Sequence, residues 1–227
     1  MKYPYLLFDA DDTLFDFPQA SLYAFSAMCE ANDVPNTKKT YQLYFRINQE
    51  LWAAFDRDEV TREFLLRERY VRFLHLLSLT RDPDQCNRDY LTALGAGVFP
   101  LPHAEEICRE LAARGHRMYI ATNATATVQR SRLRNSVFAE FFPVSFISEE
   151  IGVSKPHKAY YEYIFSHVPE ITAKNTLVIG DSLSTDIRGA NNAGLPCCWF
   201  NPSGIPRPST LRIDYEISDL RQLLQIV

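Results

Sequence analysis

Tyr5-Leu6-Leu7-Phe8-Asp9-Ala10-Asp11-Asp12-Thr13-Leu14 is an apolar strand that ends abruptly in three acids. Acids do not continue a buried strand unless something pairs with them. Four later stretches carry the same kind of chemistry: Ile120-Ala121-Thr122-Asn123, Lys155-Pro156, Gly180-Asp181 and Asp186. Each directly follows an expected strand or opens the loop beyond one. The spacing predicts strands over 5–8, 118–121, 144–147, 176–179 and 196–200, with a short last strand at 215–217. Helices are expected between them over 103–114, 127–135, 157–167 and 184–193. Gly115 is placed to end the first of these, and Ser218 to cap a terminal helix. Strands alternating with helices predict an α/β fold, a doubly wound parallel sheet.

Residues 18–95 have a different texture. They read as long amphipathic helices, such as 41–55 and 61–79, with Thr61 capping the second. Gly95, Gly97, Pro100 and Pro102 then break the pattern. The expected organisation is therefore a core of 1–17 with 96–227, and a smaller all-helical cap of 18–95 inserted after the first strand. Two connections predict a hinge, and with it a lid.

Bulk properties exclude several classes. The chain has 227 residues and 46% hydrophobic content, enough for a real core. Its 24 basic and 28 acidic residues give a net charge of −4, with no electrostatic case for a nucleic acid polymer. No apolar run is long enough to span a bilayer, and residues 1–4 lead straight into a strand. A cytoplasmic protein, monomeric or weakly dimeric, is expected. Five cysteines, with no C-x-x-C pair, read as small buried hydrophobes in a reducing compartment. The five histidines are scattered without metal spacing.

In a doubly wound sheet, loops at the carboxyl ends of the strands form the ligand crevice. That topology brings Asp9, Asp11, Thr122, Lys155, Asp181 and Asp186 together from distant parts of the chain. Crowded carboxylates repel unless a cation intervenes, and a hard divalent ion such as Mg2+ prefers oxygen ligands. Lys155 adds fixed positive charge, and a phosphate group completes the neutralisation. In extended chain Asp9 and Asp11 point the same way. One can attack phosphorus while the other handles protons. Asp12 reads as a turn residue.

At these residues, in this order and separation, the chain resembles the haloacid dehalogenase superfamily of phosphohydrolases. The resemblance implies that Asp9 is the nucleophile, forming an aspartyl-phosphate. It implies that Asp11 protonates the leaving oxygen and later activates water. Magnesium would be held by the Asp9 carboxylate, the Asp11 backbone carbonyl and Asp181, with Asp186 nearby. Thr122 and Lys155 would grip the phosphate, with Asn123 beside them. Within the superfamily, Phe8 to Phe15, Asn48 to Trp52 and Ile147 to Pro156 are similar to bacterial pyrimidine 5′-nucleotidases. One departure is Ala124, where many relatives carry Gly. That branch implies a pyrimidine nucleoside monophosphate as substrate, a small phosphate ester, with Phe15, Phe17, Asn48 and Trp52 as candidates to meet the nucleoside. Phosphoglycolate or a sugar phosphate is the alternative substrate, and a non-catalytic phosphate-binding protein the alternative class. A dehalogenase is disfavoured, because such relatives lack the second acid.

Overall fold

The computed structural model describes residues 1–227. The chain divides into two compact units, Met1–Phe17 with Val98–Val227, and Pro18–Gly97. The second junction falls two residues later than the sequence suggests, because a helix runs on to Ala96 before Gly97 closes it.

The larger unit is built on six parallel strands: β1 (Tyr5–Phe8), β2 (Arg117–Thr122), β3 (Ser145–Ile147), β4 (Thr176–Gly180), β5 (Cys197–Phe200) and β6 (Tyr215–Ile217). Their order across the sheet is β3-β2-β1-β4-β5-β6. The chain winds outward from β1 to β3, then crosses back to the other side of β1 to start β4. The strand order thus reverses between β1 and β4, where Phe8 sits level with Ile120 on one side and Ile179 on the other. A reversal point of this kind opens a crevice at the carboxyl ends of its two strands.

β1 is buried on both faces, which is why it reads as a continuous apolar run rather than an alternation. Leu6 and Phe8 join Ile107 and Leu111 from one side, with Leu220 and Leu223. Leu7 points the other way, to Tyr160, Tyr161 and Ile164. The remaining helices of this unit begin with α5 (Ala104–Ala113), α6 (Ala126–Arg134) and α7 (Ser148–Ile151). α8 (Lys158–His167) and α9 (Arg188–Ala193) complete them.

The smaller unit holds α1 to α4: α1 (Phe17–Ala31, its first residue belonging to the other unit), α2 (Lys38–Asp56), α3 (Arg62–Leu76) and α4 (Pro83–Ala96). Thr61 caps α3 through Phe64 N–H, and Asp82 caps α4 with Pro83 in its first turn. Its core is aromatic: Phe25, Tyr44 and Phe73 pack with ring centroids 5.2–5.9 Å apart, and Tyr70 stacks on Tyr44 at 5.4 Å.

Three local expectations are corrected. The segment after β3 is the short helix α7, which ends at Gly152 with φ +82°, a left-handed conformation suited to glycine. The helix expected over 184–193 starts as one wide π-type turn, Leu183–Ile187, before α9. The terminal element is a 3-10 helix, Leu220–Gln225, capped by Asp219 rather than Ser218, because Asp219 accepts from Arg221 N–H while Gln222 reaches back. All five cysteines are free and buried. No helix is long and apolar enough to cross a membrane.

Candidate active site

Asp9 continues β1 by one residue, its N–H donating to Ile179 O at 2.8 Å. Across the reversal point, β4 ends in Gly180 and Asp181 follows. Gly180 is required by close approach: a Cβ there would stand 2.3 Å from the Asp186 carboxyl carbon. That carboxylate is fixed by Ser182 N–H at 3.0 Å, and Thr13 donates its hydroxyl to Asp181 Oδ1 at 3.2 Å. Trp199 Nε1 holds the Asp181 carbonyl at 2.8 Å. One carboxylate oxygen from each of Asp9, Asp181 and Asp186 lies within 4.8 Å of the other two.

Lys155 is the cation among them. Its ammonium donates to Asp9 Oδ1 at 2.6 Å, Asp186 Oδ1 at 2.6 Å and Ala121 O at 2.7 Å, and its side chain is only 2% exposed. Asn123 clasps the lysine backbone from both sides, accepting from its N–H at 3.0 Å and donating to its carbonyl at 2.9 Å. The Lys155–Pro156 peptide is cis. Thr122, at the end of β2, is buried and accepts from Ala124 N–H at 3.2 Å.

Burial opposes the charge on Lys155, but Asp186 and Asp9 outweigh it and raise its pKa well above the usual value. Burial also pushes Asp9 far above the carboxylate range; Lys155 pulls it back, while Asp186 and Asp181 add to the rise. Asp181 is pushed up to about 8 by burial and then by Asp186 and Asp12. Three carboxylates against one ammonium leave the cluster short of positive charge. Their oxygens suit a hard divalent cation of the magnesium type.

Asp11 and Asp12 go separate ways. Asp12 takes φ +58° and accepts from Phe17 N–H, so it is a turn residue; burial and Asp11 raise its pKa to about 6. The Asp11 carboxylate lies outside the three-acid cluster and is engaged by Arg132 Nη1. Its side chain therefore supplies no ligand atom to that cluster.

Three of the four expected substrate contacts have other partners, and Trp52 is left as a candidate. Phe15 is fully buried, edge-on to Phe138 at 5.0 Å, and has no face for a base. Asn48 is 2% exposed and accepts from Arg69 at 3.0 Å inside the helical unit. Asn123 is engaged by the Lys155 backbone. Trp52 is half-buried, edge-on to Phe55 at 5.6 Å, with the Arg62 guanidinium 5.7 Å above its ring. Asn123 and Trp52 are the two that are only partly buried.

A family model for haloacid dehalogenase-like hydrolases matches residues 3–194. The chain belongs to that family. It is 35% identical to the HAD-hydrolase YfnB of Bacillus subtilis, over 100% of this chain and 96% of YfnB. A crystal structure of YfnB, bound to magnesium and recording interdomain movement, superposes with a TM-score of 0.93 and covers 100% of this chain and 99% of that one. The pyrimidine 5′-nucleotidase PynA of Streptococcus pneumoniae is 30% identical, over 99% of this chain and 94% of its own. The pyrimidine 5′-nucleotidase YjjG of Escherichia coli is also 30% identical, over 100% and 99%. The protein is thus an enzyme of the haloacid dehalogenase-like hydrolase family, with a largely buried acidic triad at the sheet's reversal point.

Sequence reading missed Arg132. The run Arg130-Ser131-Arg132-Leu133-Arg134 looks like a solvated helix face. A signal was present: Arg132 stands four residues after Val128 and next to Leu133, on the face that α6 buries. It also gave no role to Thr13, although that residue lies in the opening stretch, and missed Trp199, which nothing in its local sequence sets apart from ordinary core residues.

Proposed function

We propose that this hydrolase cleaves phosphate monoesters with magnesium, and that its substrates are pyrimidine nucleoside 5′-monophosphates. The observation that carries the first part is the buried set of Asp9, Asp181 and Asp186 around Lys155. The second part is supported by the likeness to two pyrimidine 5′-nucleotidases over nearly their whole length.

The Asp9, Asp181 and Asp186 carboxylates, with the Asp11 carbonyl, are the groups that would hold magnesium. Bound there, the ion supplies positive charge between those acids and the substrate phosphate. The chain's own groups carry the steps. An Asp9 oxygen attacks phosphorus, the bond to the ester oxygen breaks, and that oxygen takes a proton from Asp11. Asp11, now ionised, takes a proton from water as the water oxygen attacks the aspartyl-phosphate; Asp9 is regenerated and phosphate leaves. Lys155 and Thr122 bind the phosphate oxygens, Lys155 by charge and Thr122 by its hydroxyl proton. Burial of Lys155, with Asn123 locking its backbone, fixes that charge before substrate arrives. We assign choice of substrate to the helical unit, with Trp52 as the candidate contact for the base.

The test is phosphate release from UMP, dUMP and TMP beside phosphoglycolate and sugar phosphates, with magnesium and with EDTA. Pyrimidine nucleotides should lead the panel, and EDTA should stop turnover. Asp9→Asn should lose at least ~10³-fold in kcat, since the covalent path goes with it. Turnover of that variant near the wild-type rate would remove the nucleophile assignment. Preference for a sugar phosphate would keep the chemistry and replace the substrate.

A further inference from the structure

Arg132 is a charged side chain that the fold buries almost completely, 1% exposed, although α6 gives nothing to the acidic triad. Its guanidinium lies over the Phe15 ring, 4.4 Å from the centroid, and its Nη1 donates to Asp11 Oδ1. Gln129 Oε1 approaches the same nitrogen at 3.4 Å. Asp11 itself is 27% exposed. A half-exposed carboxylate needs no buried partner to be stable, and an apolar side chain on that face of α6 would pack at no desolvation cost. What the guanidinium adds is direction. It is planar, it sits over a ring, and it can only donate. A protonated carboxyl has one acceptor oxygen and one hydroxyl. A pure donor at Oδ1 occupies that oxygen and leaves Oδ2 as the one open for proton exchange.

We propose that Arg132 is a positioning residue for proton transfer. It pins Asp11 by one oxygen and leaves the other to protonate the departing ester oxygen. The inference rests on the reading of Asp11 as proton donor given above. The proton moves from Asp11 Oδ2 to the oxygen whose bond to phosphorus breaks; Arg132 gives and takes none. Phe15 serves the same end as the platform under the guanidinium, which gives a reason for its burial.

The experiment compares two esters in one enzyme sample. One is the alkyl phosphate best turned over in the panel, whose leaving oxygen needs a proton. The other is p-nitrophenyl phosphate, whose nitrophenolate leaves without one. The readout is the ratio of their kcat/KM values, alkyl over nitrophenyl. This ratio reports steps up to loss of the leaving group and is independent of the fraction of protein folded. Arg132→Met should lower the ratio about tenfold or more, a share of the 10²–10⁴ that positioned proton transfer provides. Asp11→Asn should lower it further. The double variant should fall no lower than Asp11→Asn alone, because the two residues act as one unit. If Arg132→Met does not purify, Arg132→Lys, which keeps the charge but not the plane, takes its place in the same ratio. Equal loss on both esters in the Arg132 variant, with the ratio skewed in Asp11→Asn, would overturn the positioning role and spare the proton donor. An unchanged ratio in Asp11→Asn would overturn the proton-donor assignment itself, and this inference with it.

Discussion

Lys155 in the α/β unit and Arg69 in the helical unit are both about 2% exposed, yet the chain stabilises them in opposite ways. Lys155 is met by two carboxylates, with a third beside them. Arg69 meets no carboxylate: it donates to Asn48 at 3.0 Å and Asn87 at 2.7 Å and lies over the rings of Tyr90 and Tyr70, at 4.8 and 5.3 Å. A buried charge is tolerated only when paired or fully hydrogen-bonded. Two neutral acceptors and two aromatic faces meet the Arg69 guanidinium without any carboxylate, and its Nε is left with no hydrogen-bond partner. Three acids around one ammonium overshoot, and the overshoot is a binding capacity for a second cation. The difference separates a neutral pin from an acidic cluster short of positive charge, without reference to any motif.

The largest test of this contrast is Lys155→Met. Removing the ammonium leaves acids facing one another in a buried site, and metal-free stability should drop by about 3–5 kcal/mol. Magnesium should then matter more. Wild-type protein should gain about 2.7 kcal/mol at a hundredfold excess over Kd. The magnesium-induced rise in Tm should be larger in Lys155→Met, since the ion now compensates charge that lysine had compensated. Calorimetry in EDTA and in magnesium measures both. A variant as stable as wild type in EDTA would show that the acids do not depend on Lys155.

Arg69→Met is the matched experiment in the other unit, with a smaller effect. It strands the Asn48 and Asn87 oxygens, at about 1–3 kcal/mol. The magnesium-induced rise in Tm and the kcat per folded molecule should match wild type. Asn48→Ala should behave the same way, losing stability and keeping its KM. A raised KM with unchanged Tm would instead restore Asn48 as a base contact.

Much of this was legible in the sequence because the chemistry sits at strand ends. β1, β2 and β4 are short, apolar and sharply terminated, so Asp9, Thr122 and Asp181 could be placed from pattern alone. The doubly wound topology then forced them together. What sequence could not reveal were partnerships set by tertiary packing. Phe15 lies beside motif residues and Asn48 in a stretch similar to the nucleotidases, and only the fold shows that Asn48 faces Arg69 and Phe15 the core. Arg132 is the converse: a residue amid surface-like charges that the packing of α6 turns inward. Local period identified the faces of elements, but not which polar side chain meets which across them.

His116 is a third buried base and sets the lower limit of the contrast, because it avoids charge altogether. Its imidazole lies where β2 begins, and its Nδ1–H donates to Tyr3 O at 2.9 Å. Burial lowers its pKa below 6.5; the Tyr3 hydrogen bond works against that, while Arg114 and the chain's amino terminus add to it. The unfolded chain therefore takes up a proton near pH 6.5 that the folded protein still refuses. Stability held by this group is present above that pH and is lost as pH falls from about 6.5 through the lowered folded value. The difference in unfolding midpoint between wild type and His116→Gln, measured in urea from pH 8 to pH 5, should be flat above pH 7 and shrink below it, as groups common to both cancel. The change should be the smallest of the three, since the imidazole has no charged partner to lose. A difference that grows on acidification would mean that His116 is a cation in the folded protein, held as Lys155 is by charge and not as a neutral donor.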